Sequence, residues 1–304
     1  MAIGNPTAFL APEPRVLTRR TVLKSGLGLA GVAGLALPAA AGFVEAANNL
    51  ATTSYHLSPP AWPKGQRLTI TVIADLHAGG PNMGLDRVRE VVDAANSLGS
   101  DLTVVLGDYF ATHHFVTEHV PHPVWAAELS RLHAPLGVFS ILGNHDWWYD
   151  VDGVRRALDQ VHVPIMENDA VLLGPRGRRF WLAGLGDQIA YRLGPHEFLG
   201  VDNLPGTLAR IRTDDPVILL AHEPDIFPKV PARVALTLAG HTHGGQIRLP
   251  FVPPVWAPTA LGARFAYGHI VEGDRHMIVS GGLGCSIVPM RLGMPPEIVR
   301  IELG

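Results

Sequence analysis

Asp75, His77, Asp108, Asn144, His222, His241 and His243 are residues of the kinds that bind divalent cations, and they fall in five short motifs. These are Asp75-Leu76-His77, Gly107-Asp108, Gly143-Asn144-His145-Asp146, Ala221-His222-Glu223 and Gly240-His241-Thr242-His243. Imidazole nitrogen with carboxylate or amide oxygen suits Mn²⁺, Fe or Zn²⁺. The chain's 15 histidines are matched by a single cysteine, Cys285, so neither a disulfide within the chain nor a thiolate cluster can form. In extended backbone, residues i and i+2 point to the same side, so Asp75 with His77, and His241 with His243, would each give one site two ligands. Gly107, Gly143, Gly240 and Gly244 permit tight turns and close backbone approach. The chemistry such a set supports is metal-assisted hydrolysis, in which a cation-activated water is the nucleophile.

Each motif follows an apolar run that reads as a strand. Leu68–Ile73, Leu102–Leu106, Gly137–Leu142, Val217–Leu220 and Val234–Ala239 are such runs, and their C-terminal ends would have to converge on one edge. Between the first three lie amphipathic stretches expected to be helices, Leu85–Leu98 and Val124–Leu132. Val151–Gln160 and Asp202–Ile211 extend the helical pattern. Ala170–Leu173 and Phe180–Gly184, separated by Gly174-Pro175-Arg176-Gly177, predict a hairpin. Further strands are expected at 264–271, 276–280 and 297–302. Alternating β and α in the first half with mostly β at the end gives an α/β fold, a mixed β-sandwich flanked by helices.

The N-terminal 42 residues have a different character. Arg19-Arg20 precede a Gly/Ala/Leu-rich run from Ser25 to about Gly42, with Ala39-Ala40-Ala41 as a small-residue cleavage site. This resembles a twin-arginine (Tat) signal, cleaved or kept as an anchor, although the run is marginal against the ~20 apolar residues a bilayer span needs. It implies export by the Tat machinery, a location in the periplasm or on the outer face of the cytoplasmic membrane, and possible membrane association. Gly26-x-Gly28-x-x-Gly31 matches a dinucleotide fingerprint only by composition, since no strand precedes it. Residues 43–66, with Pro59, Pro60 and Pro63, read as a linker, and 67–304 as the domain. A net charge of −3 and a pI near 6.6 argue against a nucleic-acid partner.

Taken together, the motifs D-x-H, G-D, G-N-H-D, H and G-H-x-H resemble those of the calcineurin-like metallophosphoesterases over roughly Leu68 to Gln246. Gly244–Pro250, Gly282-Leu283-Gly284, Pro289-Met290-Arg291 and Pro296-Glu297-Ile298 are similar to its Tat-exported, membrane-associated, YkuE-like branch. The resemblance implies a four-layer α/β/β/α fold and two divalent metal ions. Asp75, His77 and His243 would hold one ion, Asn144, His222 and His241 the other, and Asp108 would bridge them. A metal-bridging hydroxide would attack phosphorus, with His145 as general acid beside the substrate. Ala111 departs from the family, which often has a second Asp there. The implied activity is that of a phosphodiesterase or phosphatase. Alternatives are cleavage of a lipid-linked substrate, such as UDP-2,3-diacylglucosamine of the lipid A pathway or a phospholipid, and a non-catalytic metal-binding scaffold.

Several other residues are open to two readings. Asp146 either orients His145 or caps the following helix. His113, His114, His119 and His122 line a substrate mouth or are simply exposed, with exposure expected. Trp147, Trp148 and Tyr149 stack on a substrate or pack, with packing expected. Arg248 and Arg291 grip a phosphate or form surface salt bridges.

Overall fold

The computed structural model describes residues 41–42, 44–249 and 257–304. Residues 1–40, which hold nearly all of the expected export signal, lie outside the described residues. Among the described residues no helix is long and apolar enough to cross a membrane.

Side-chain alternation decides which way each strand faces. In β2 (Leu68–Ile73) and β3 (Leu102–Val105), Leu68, Ile70, Val72, Leu102 and Val104 point into one core, while Ile73 and Val105 point into another. The first core lies between two sheets. One has the order β1-β13-β2-β3-β4, with β1 at Ala51–Leu57, β4 at Val138–Ser140 and β13 at Glu297–Leu303. The other has the order β11-β12-β10-β9-β6-β5. Its strands are β5 (Asp169–Leu173), β6 (Phe180–Gly184), β9 (Val217–Leu220), β10 (Val234–Ala239), β11 (Gly268–Glu272) and β12 (Arg275–Val279). Ile218, Leu220, Leu236 and Leu238 fill the space from this side.

The second core sits under α1 (Leu85–Ser97), α2 (His122–Leu129) and α4 (Val151–Gln160), where Val88, Val91, Val92, Trp125, Val154 and Leu158 are buried. The third, around Phe227 and Phe265, lies on the far face of the second sheet beneath α5 (Leu204–Ala209) and short 3-10 turns. Each fully buried Leu, Ile or Val in these cores is worth about 1.5–3 kcal/mol. The result is a mixed α/β sandwich flanked by helices, as expected from the sequence.

Two elements were not anticipated. The stretch expected to be a linker contains β1, which pairs in parallel with β13 along its whole length, from Ala51↔Glu297 to Leu57↔Leu303. Its burial alternates, as an edge strand's should. A separate hairpin, β7 (Tyr191–Gly194) and β8 (Glu197–Leu199), projects beside α3 (Asn144–Tyr149), the helix that opens on the third motif. The hairpin predicted at Gly174–Gly177 is present, with β5 and β6 antiparallel.

β2, β3 and β4 are mutually parallel, as are β6, β9 and β10. Their C-terminal ends face the same edge of the sandwich, and all five motifs lie there.

Candidate metal centre

The first sheet delivers Asp75, His77, Asp108 and Asn144, and the second delivers His222, His241 and His243. Asp75, His77 and His243 place ligand atoms within 4.8 Å of one another, and so do Asp75, Asp108 and His222. Asn144 joins the set through its Oδ1, 2.7 Å from His241 Nδ1 and 3.1 Å from His222 Nε2. All seven expected ligands therefore meet, and all are buried.

They do not meet in the way extended backbone would arrange. Asp75, His77, Asp108, His241 and His243 have φ of 51°, 43°, 57°, 68° and 51°, in the left-handed region. The i, i+2 pairs converge because the chain reverses at each ligand. Such backbone costs about 1–3 kcal/mol at a non-glycine residue and is concentrated at functional sites. The surrounding loops brace it. His241 N–H donates to both carboxylate oxygens of Asp75, at 2.9 and 3.1 Å, and His145 N–H donates to Asp108 Oδ1 at 2.8 Å. Gly143 is needed for close approach, since a Cβ there would lie 2.4 Å from Asp108 Oδ1 and 2.6 Å from His222 Cε1.

Asp146 ties the loops together. Its carboxylate accepts from the backbone N–H groups of Asp108, Tyr109 and Gly143 at 2.8–2.9 Å, the last being the residue that caps α3. It does not orient His145. That ring is held instead by the Thr112 hydroxyl, hydrogen-bonded to Nδ1, a partner the sequence analysis did not identify.

The donor set fits a pair of cations. Asp108 Oδ2 is buried with no hydrogen-bond partner, yet it lies 3.5 Å from His77 Nε2 and 3.3 Å from His222 Nε2. His77 Nε2 and His243 Nε2 face each other at 3.2 Å. His222 Nδ1–H donates to the Leu106 carbonyl at 2.7 Å, which directs Nε2 into the cluster.

The electrostatics agree. Burial holds the His77 and His241 imidazoles down at about 3, and so neutral and able to ligate. Burial also pushes the Asp75 carboxyl up to about 7. Asp108 stays well below the usual carboxylate range because His222, His145 and His77 outweigh its burial. Burial works against a charge on His222, but Asp108, Glu223 and Asp75 raise it well above an ordinary imidazole. The cluster thus draws positive charge between its two sides, and in the protein alone a proton on His222 meets that demand.

A cavity of about 960 Å³ opens from the centre and reaches Asn144, His145 and His241. Its wall settles several open readings. His113 and His114 line it, whereas His122 pairs with Asp150 at 3.1 Å. Trp148 and Tyr149 line it, whereas Trp147 packs on the helical core with Arg155 stacked 4.7 Å from its ring. Arg248 and Arg291 do not reach it. Arg291 is fully buried, donates to the carbonyls of Gly281 and Gly284 and lies 3.0 Å from His243 Nδ1, and Arg248 stacks on Tyr267 at 5.4 Å. The arginine on the wall is Arg192, from β7, which no motif marked. Glu223 is also there, grouped with His222 and His241 within 4.8 Å.

A family model described as calcineurin-like phosphoesterase matches residues 68–245. An uncharacterized metallophosphoesterase of Aquifex aeolicus is 30% identical over 254 residues, which cover 84% of this chain and 92% of that protein. The uncharacterized metallophosphoesterase YkuE of Bacillus subtilis is 30% identical over 295 residues, 94% of this chain and 98% of YkuE. Phosphodiesterase YaeI of Escherichia coli is 28% identical over 240 residues, covering 77% of this chain and 81% of YaeI.

Proposed function

The chain belongs to the calcineurin-like phosphoesterases and is a metal-dependent phosphoester hydrolase, and from that premise we propose that it cleaves phosphodiesters at the centre described above. Asp75, His77 and His243 would hold one cation and Asn144, His222 and His241 the other, with Asp108 available to both. Bound there, two divalent cations supply the Lewis acidity that activates water and offsets charge on the phosphate oxygens. The observation that carries this reading is the partnerless buried Oδ2 of Asp108, set between His77 from the first sheet and His222 from the second.

The protein's own groups do the rest. Burial works against the imidazolium form of His145 while Asp108 favours it, and the Thr112 hydroxyl holds the ring by a hydrogen bond at Nδ1. As imidazolium, His145 would give its Nε2 proton to the leaving oxygen as the P–O bond breaks, the general-acid part, and return to the neutral ring. The size of the cavity and the name of YaeI support a diester rather than a small monoester. The purified protein with Mn²⁺ should hydrolyse bis(p-nitrophenyl) phosphate, and chelation or Asp108→Ala should abolish turnover. If Asp108→Ala keeps the wild-type rate, the assigned centre is wrong. If the wild type binds two cations yet hydrolyses no monoester, diester, nucleotide or phospholipid, it is a metal-binding scaffold.

We also propose that the enzyme works outside the cytoplasmic membrane, a reading supported by Arg19-Arg20 and the apolar run after them. Protease added to intact spheroplasts should then degrade it, and full protection would place it in the cytoplasm.

A further inference from the structure

We propose that Arg192 binds a second phosphoryl group of the substrate, next to the one attacked, so that the preferred substrates are diphosphates. This rests on the phosphoesterase reading above and adds the substrate class.

The case begins with how Arg192 is held. Its guanidinium lies 3.4 Å from the centroid of the Trp148 ring, face to face with an aromatic surface. Phe198, its register partner across the hairpin, stacks on the same indole at 5.9 Å and 18°. The indole is itself fixed, because Trp148 Nε1–H donates to the Ile189 carbonyl at 2.8 Å. Trp148 belongs to α3, the six-residue helix that also carries Asn144 and His145. A short rigid path therefore joins Arg192 to the residues at the scissile bond.

A guanidinium stacked by its face keeps its N–H donors in the free plane, where they match two oxygens of one phosphate. Arg192 has those donors to spare. Arg155, Arg179, Arg210 and Arg264 each meet a carboxylate, but among the described residues no ion pair involves Arg192. Each acid on the same cavity wall has one oxygen held by a backbone N–H, Glu223 Oε2 by Gln188 at 3.1 Å and Asp225 Oδ1 by Ala260 at 2.8 Å, and neither forms an ion pair with Arg192. His113, His114 and His196 line the cavity as well, giving this mouth further donors for an anion. Trp148 stands between the two: its ring centroid lies 5.4 Å from that of His145 and 3.4 Å from the Arg192 guanidinium carbon, so a single aromatic ring separates Arg192 from the residue beside the scissile bond. In the reaction, water oxygen bonds to the attacked phosphorus, the bridging P–O bond breaks, and the departing phosphate oxygen takes the proton.

The test compares full-length, Mn²⁺-loaded wild type with Arg192→Gln and Arg192→Lys. ADP-ribose supplies a diphosphate, and bis(p-nitrophenyl) phosphate a single charge. In Arg192→Gln the ratio of kcat/KM for ADP-ribose over the diester should fall about tenfold or more, the scale of one charge-assisted contact, with Arg192→Lys between the two. Calorimetry gives the same answer without turnover: methylenediphosphonate should lose about tenfold in affinity relative to methylphosphonate. An unchanged ratio in both experiments overturns the assignment to Arg192. If wild type turns over neither compound, the phosphodiester reading of the proposed function fails, while the calorimetric ratio still decides the role of Arg192.

Discussion

Thr112 and His145 are 33 residues apart in the chain, and their contact holds the imidazole ring at Nδ1. Thr112→Val should lower kcat about tenfold with two cations still bound, as measured by metal analysis. His145→Ala should cost more, toward the ~10²–10⁴-fold typical of a general acid. Equal losses of activity and metal in Thr112→Val would make Thr112 merely structural. Cys285 gives a second test at this scale. It is buried, and burial pushes its thiol up, so little of the reactive thiolate forms at pH 8. Ellman's reagent should therefore label the native protein far more slowly than the protein unfolded in guanidinium. At this scale the ligands were legible because Asp, His and Asn at strand ends are uncommon together. Thr112 and Arg192 were not, since a threonine or arginine in a loop has no pattern until folding brings its partner.

At the scale of elements, β1 shows where sequence pattern runs out. Ala51–Leu57 is largely polar and finds its partner at the other end of the chain, so neither composition nor sequence neighbours betray it. Its value is structural: Thr53, together with Tyr267 and the Gly281 N–H, closes on the buried carboxylate of Glu297. A chain starting at Leu50 should melt below one starting at Ala41, because it loses the hydrogen bonds of Gly42, Glu45 and Asn49 with Arg291, Gly293 and Arg87. A chain starting at Ser58 should lose at least ~2–4 °C in Tm, the shift that about 1 kcal/mol gives a domain of this size, or fail to stay soluble. The strands and helices of the two βα units were readable from periodicity, because their apolar positions recur at the spacing of the elements they form. The loops were not. The i, i+2 spacing of the ligands pointed to the right residues while the expected extended backbone was absent, since the left-handed turns at Asp75 and His241 arise from the loops that brace them.

For the molecule as a whole, cation binding competes with protons. Asp75, pushed up to about 7, and His222, raised well above an ordinary imidazole, both hold protons at neutral pH that a cation must displace. His77 and His241, held at about 3, do not. Affinity should therefore rise with pH through 7, and the gain in Tm on adding Mn²⁺ should be larger at pH 8 than at pH 6. A gain independent of pH would mean that other groups bind the metal.

Each of the two ions would draw ligands from both sheets, since His243 joins Asp75 and His77, while Asn144 joins His222 and His241. In mechanical terms the pair is a rivet through two plates. Cut at the exposed turn Gly174–Gly177, the chain would separate into fragments neither of which owns a complete socket for either ion. Reassembly of the halves would then work as a logical conjunction, with the metal as the condition that both be present.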